Sequence, residues 1–189
     1  MQNARAAAVV AIVAIALTMT SCGDGTPTLA EYAEDVERAM AQMRVRIVAT
    51  DEALNRPSSS LAEEEAIWRE RVAAREEFLV ALKTIDPPDE AAEIHAEAEQ
   101  IVRRLADAEA AVGDQIGEYD ELVQLEGLGT TPALGAFIDV NEEATTICLA
   151  AQGKFDETRD REALADVPWI PGELKEVVEV LFGCVPGDS

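Results

Sequence analysis

Residues 28–54 read TLAEYAEDVERAMAQMRVRIVATDEAL, and this stretch decides the fold. Leu29, Tyr32, Val36, Met43, Ile47 and Leu54 recur at steps of three, four and seven. That spacing puts them on one face of a helix and excludes the two-residue alternation of a strand. Thr28, with Glu31 three residues on and Pro27 just before, spells a capping box. Hydroxyl and carboxylate each satisfy a backbone N–H that the first turn leaves without a partner. Asn55-Arg56-Pro57 ends the helix, because the residue before a proline is pushed out of the helical region.

The same grammar continues outward. Ser60 and Glu63 make a second capping box, and Ile67, Trp68, Val72, Phe78, Leu79, Leu82 and Ile85 give the following helix its inner side. Pro87-Pro88 stops it, and Asp86 is expected to cap a third helix with Pro87 at its first position. Ile94, Ala98, Ile101, Leu105, Val112, Ile116, Tyr119 and Val123 then track one stripe, with Gly113 and Gly117 as candidate kinks. An unbroken third helix to Leu125 would span about 60 Å; Gly127-Leu128-Gly129 is expected to terminate it. Thr131 caps a fourth helix with Pro132 just inside, running through Phe137 and Ile147 to Gln152, with the polar stretch 156–162 as an extension. A loop around Val167–Gly172 and a short helix from Glu173 to Phe182 close the chain. Long amphipathic helices joined by short turns pack as antiparallel neighbours. The expected fold is all-α: an antiparallel bundle of about four long helices plus a short C-terminal helix.

Composition agrees. Aromatics make up only 4% of the 189 residues, and alanine, glutamate, leucine and arginine dominate, which favours helix over sheet. The formal charge is −23. Such a charge excludes the usual route to nucleic acid, which needs clustered lysine and arginine, and it opposes lying flat on anionic lipid. Arginine outnumbers lysine twelve to three, a bias of the kind that a GC-rich, actinobacterial genome imposes.

The amino terminus has a different character. Residues 1–21 hold one charged side chain, Arg5, and residues 6–19 (AAAVVAIVAIALTM) are apolar apart from Thr18. A positive start, an apolar run of this length and small residues after it define a secretory signal peptide; a permanent span needs about 20 apolar residues. The run ends in Met19-Thr20-Ser21-Cys22. This resembles the lipobox of bacterial lipoproteins, in which a leucine-like residue, two small residues and a cysteine mark the cut; Met19 stands where leucine is commoner. The resemblance covers the first 22 residues. It implies that Cys22 accepts a diacylglycerol and becomes the new amino terminus, leaving the protein on the extracytoplasmic face of the cell membrane. Two acyl chains give a stable hold at about 0.8 kcal/mol per buried methylene. The linker GDGTP, residues 23–27, reaches only about 17 Å when fully extended, so the domain would sit close to the bilayer. The chain thus divides into a leader (1–21), an anchor and linker (22–27) and one helical domain (28–189).

With Cys22 lipidated, Cys148 and Cys184 remain. An even pair in an exported chain reads as a disulfide, here fastening the terminal helix to the fourth; a redox or metal pair would more often be spaced Cys-x-x-Cys.

Catalytic constellations are scarce. A di-metal helical bundle needs Glu-x-x-His on two helices, yet His95 is the sole histidine and Ala92 stands three residues before it. His95 is expected at the surface or boundary, within reach of Glu99 one turn on. No Gly-x-Ser-x-Gly elbow, phosphate-cradling glycine loop or calcium loop is present, and no pair stands out among 38 acids for glycoside hydrolysis. No cofactor, metal or enzymatic activity is expected. Trp68 fits a core stripe; Trp169, between two prolines, either plugs the bundle end or lines a ligand mouth. One region is unusual: between Arg104 and Lys154 there is no lysine or arginine, but there are ten acids, among them Asp107, Glu109, Asp114, Glu142 and Glu143. It is either a solvated face or a surface, residues 105–153, that collects cations or a basic protein by long-range attraction. The expected function is a membrane-tethered binding or scaffolding module. The alternative is a carrier of a small apolar ligand in a cavity between helices three and four.

Overall fold

The computed structural model describes residues 27–157, with side chains through Ile147. Four helices, α1 (Leu29–Leu54), α2 (Leu61–Leu82), α3 (Ala92–Gly117) and α4 (Pro132–Glu157), form an all-α bundle, and a 3-10 segment, Leu122–Thr130, joins the last two. The helix α2 packs against both α1 and α3, and α3 packs against α4. Along α3, Glu109, Gly113 and Gly117 meet Arg71, Trp68 and Glu65 in turn, the falling numbers of an antiparallel pair. At 26 residues α1 is about 39 Å long. No described helix is long and apolar enough to cross a membrane. The leader, Cys22, Cys184, Trp169, the side chain of Cys148, and the expected loop and helix after Glu157 lie outside the described residues.

The first stripe folds as its spacing requires. Leu29, Tyr32, Val36, Met40 and Met43 are buried, while Ile47 and Leu54 are half-buried. All but Leu54 pack on Phe78, Leu79 and Leu82 of α2 and on Ile94, Ala98, Ile101 and Leu105 of α3, while Leu54 packs on a second cluster. Phe137, Val140, Ala144 and Ile147 of α4 close over this core. The second cluster, Trp68, Val112, Ile116 and Leu128, fills the end where the 3-10 segment crosses. Each fully buried side chain of this size stabilises by roughly 1.5–3 kcal/mol.

The helix α2 departs from its expected face. Its buried side is Trp68, Arg71, Ala74, Arg75, Phe78, Leu79 and Leu82, whereas Ile67 and Val72 are only half-buried. Two arginines occupy core positions at helical spacing, so the apolar pattern alone points to a rotated face.

The helix ends hold further corrections. The Thr28–Glu31 box forms in full. Ser60 Oγ accepts from Glu63 N (3.1 Å), but the Glu63 carboxylate reaches Ser59, whose backbone N–H (2.8 Å) and hydroxyl offer it two donors. Asp86 and Pro87 do not start α3, because each precedes a proline and is held extended. A turn closed by Ala91 N to Pro88 O (2.9 Å) intervenes, and α3 begins at Ala92 with no side-chain cap. It runs through Gly113 and stops at Gly117, short of the expected Leu125. Gln124 turns back to accept from the backbone N–H groups of Asp120 and Glu121, both at 2.8 Å, which opens the 3-10 segment. Gly127-Leu128-Gly129 lies within that segment rather than ending α3. Thr131 is extended, and its hydroxyl accepts from Leu134 N (3.3 Å), the expected cap of α4.

Candidate functional site

The most buried charge in the described residues is Glu109, with no solvent exposure. It accepts from Arg71 Nε (2.9 Å) and Arg75 Nε (2.7 Å). Arg71 also donates to Thr50 Oγ1 (3.1 Å) and to the Asp51 carboxylate, tying α1 into the same cluster. Its guanidinium lies 5.7 Å from the Trp68 ring and 5.9 Å from the Phe137 ring, and these two aromatics meet edge to face at 5.3 Å. Removing one member of a buried ion cluster leaves an uncompensated charge, at a cost of about 3–5 kcal/mol. Glu109 answers two guanidiniums at once and does not face solvent, which is a structural task. Trp68 Nε1, buried beside it, has no acceptor among the described residues.

His95 is buried, not at the surface. Its Nδ1 lies 3.2 Å from Tyr32 Oη and its Nε2 lies 3.4 Å from Glu99 Oε1, so the expected Glu99 partnership forms and a second, from α1, joins it. The ring thereby bridges the Tyr32 hydroxyl of α1 and the Glu99 carboxylate one turn further along α3. The arrangement resembles a nucleophile triad in outline. Tyr32, however, is 1% exposed, and burial pushes its phenol above the ordinary range. A neutral, enclosed hydroxyl is a core hydrogen bond rather than a reactive group.

Of the ten acids in the region 105–153, two are engaged by arginines. Glu109 is interior, and Glu143 is held by Arg104 through two bonds, the longer 2.6 Å, with its carboxyl lowered by that contact. Asp107, Asp114, Glu118, Asp120, Glu121, Glu126, Asp139 and Glu142 are exposed. Among the described residues no three ligating side chains converge on a point where a metal ion could sit.

A concavity with room for a partner lies between α1 and α2. It is a groove of about 910 Å³, open to solvent. Its floor is Ala39 and Met43 from α1 with Ala74, Phe78, Ala81 and Ile85 from α2 and the turn after it. The three alanines leave a trough between the two backbones. Its rim carries five carboxylates, Glu31, Glu34, Asp35, Glu77 and Asp86, against two guanidiniums, Arg38 and Arg46. Both arginines are engaged: Arg38 with Asp35 (2.6 Å) and Glu34 (3.2 Å), Arg46 with Glu77 (2.6 Å) and with Glu70 (2.5 Å) outside the groove. The backbone N–H and hydroxyl of Thr28 hold the Glu31 carboxyl below its ordinary value.

The sequence points to a ligand space between helices three and four, and Glu31, Met43, Phe78, Ile85 and Asp86 of this groove stand out in it only as helix-forming residues. The signal was faint: small residues at 39, 74 and 81 flanked by charges on two helices whose pairing had first to be known. Comparison with known protein families, with curated proteins and with solved structures gave no match, so the geometry alone carries the functional argument.

Proposed function

We propose that this chain is a lipid-anchored, extracytoplasmic interaction module, without catalysis of its own, that holds a partner near the cell membrane in the α1–α2 groove. The observation that carries the reading is the groove: an open trough of about 910 Å³ beside the hydrophobic core. Pro27 lines it, so only residues 23–26 separate the groove from Cys22, a reach of about 14 Å. A lipid on Cys22, supplied by the lipobox-like Met19-Thr20-Ser21-Cys22, would keep that trough at the membrane surface. A disulfide from Cys148 to Cys184 would close the far end of the chain. Seven of the sixteen lining residues are charged, which supports a polar or cationic partner over the small apolar cargo of a carrier.

Two measurements test the reading. A photo-crosslinker at Gln42, exposed on the rim of the groove, should give discrete adducts in native membranes, whereas one at Ala111, exposed on α3, should not. Equal labelling from both positions, or none from Gln42, removes the groove as the interaction site. Cys22→Ser should release the protein to the medium or leave it unprocessed; a processed protein still held in the membrane fraction removes the anchor.

A further inference from the structure

We infer that the groove between α1 and α2 receives a short basic segment of a protein partner, in which lysines or arginines alternate with small apolar residues. This rests on the reading of the groove as the interaction site and names the chemistry of its occupant.

Charge and shape supply the argument. The rim has a surplus of three negative charges, and each of its two arginines is already paired, so no free cation is left to receive an anionic ligand. The carboxylates are strung along the trough instead of converging. From Glu31 to Arg46 the lining covers about 23 Å of α1 at 1.5 Å per residue. No three ligating groups gather at one point among the described residues, which argues against a single metal ion. Spread negative charge over an apolar floor is complementary to spread positive charge on an apolar backbone. About seven extended residues match the length. Alternation would set apolar side chains against Ala39, Ala81 and Ile85 and bring the cationic ones to Glu34, Asp35 and Glu77.

The test uses the purified full chain and a blocked heptapeptide alternating lysine and leucine, with the same peptide carrying glutamate for lysine as its counterpart. Binding is followed by fluorescence anisotropy from low to high salt. The lysine peptide should bind, the glutamate peptide should not, and affinity should fall steeply as the screening length shrinks from about 10 Å at 0.1 M salt to about 3 Å at 1 M. Because the whole chain is acidic, site assignment needs matched pairs of neutralisations. Glu34→Gln with Glu77→Gln leaves Arg38 its Asp35 and Arg46 its Glu70, and should weaken binding by about tenfold. Asp107→Asn with Asp114→Asn removes two exposed charges on α3 and should change it by less than about twofold. Ala81→Phe, which fills the trough without altering charge, should abolish binding even at low salt. Equal weakening by the two double variants, binding that survives Ala81→Phe, or no binding of the lysine peptide at low salt each overturns the inference. Adducts from Gln42 in membranes together with a failed lysine peptide leave the interaction site standing and reject only its basic occupant.

Discussion

Arginine and carboxylate meet in two places in this bundle, and they do different work in each. Between α2 and α3, Arg71 and Arg75 enclose a Glu109 that water does not reach, under the rings of Trp68 and Phe137. Between α1 and α2, Arg38 and Arg46 share carboxylates on an open rim. In the first place desolvation makes every member dependent on the others, and the cluster fixes how α1, α2 and α3 meet. In the second, water solvates each charge independently, so single members add little to folding and stay free to answer a ligand. Burial, not residue type, separates a structural ion cluster from a recognition surface.

The sharpest way to break that contrast is at Glu109. Glu109→Ala takes the carboxylate from Arg75 and leaves Arg71 only Thr50 and Asp51, and should lower the unfolding free energy by about 3–5 kcal/mol, read as a fall in the denaturation midpoint by circular dichroism. A loss below about 1 kcal/mol would mean that water reaches the cluster and that the two regions differ less than their burial implies. Next in size, Tyr32→Phe removes the hydroxyl partner of His95 Nδ1 and should cost about 1–3 kcal/mol, with a changed His95 Nδ1 shift in nitrogen NMR. Thr28→Ala removes the cap of α1 and should cost about 1 kcal/mol.

Smaller still, Arg46→Ala on the rim should change stability by less than about 1 kcal/mol, measured by the same denaturation, although it breaks two ion pairs. The smallest expected effect is on pH dependence. The carboxyls of Glu31, Glu63, Glu70 and Glu143 are all lowered from 4.5 in the folded chain. Groups lowered on folding add stability that is complete above their unfolded value and lost as pH falls through the folded one. Stability should therefore hold from neutral pH down to about 5 and decline below about 4.5. The Glu31 part of the decline should move upward in Thr28→Ala, as a carboxyl titration by NMR would record. A decline that begins above pH 6 would place the controlling group elsewhere.

The parts of the molecule that were legible in its sequence are those governed by neighbours in the chain. The stripe and capping box of α1 needed nothing beyond residues 28–54, and the Thr131 cap of α4 is equally local. The inner face of α2 was misread because Arg71 and Arg75 count as solvent-facing until Glu109 arrives, 38 and 34 residues further on, to neutralise them. His95 was set at the surface for the same reason, since Tyr32 reaches it from 63 residues away. The turn before α3 was available locally: two consecutive prolines hold Asp86 and Pro87 extended, and that constraint outweighs the capping preference of an aspartate. The groove could not be read at all before α1 and α2 were paired, because Ala39, Ala74 and Ala81 make a trough only when they face one another.

The most direct test of the division of labour joins both readouts in one protein. Glu34→Gln with Glu77→Gln is introduced into the chain carrying a photo-crosslinker at Gln42, and adduct yield in native membranes is measured beside the denaturation midpoint. The expected result is loss of most of the adduct with the midpoint unchanged. Undiminished adduct, or a loss that merely follows a lowered midpoint, would contradict the assignment of the wet charges to recognition and the dry ones to the fold.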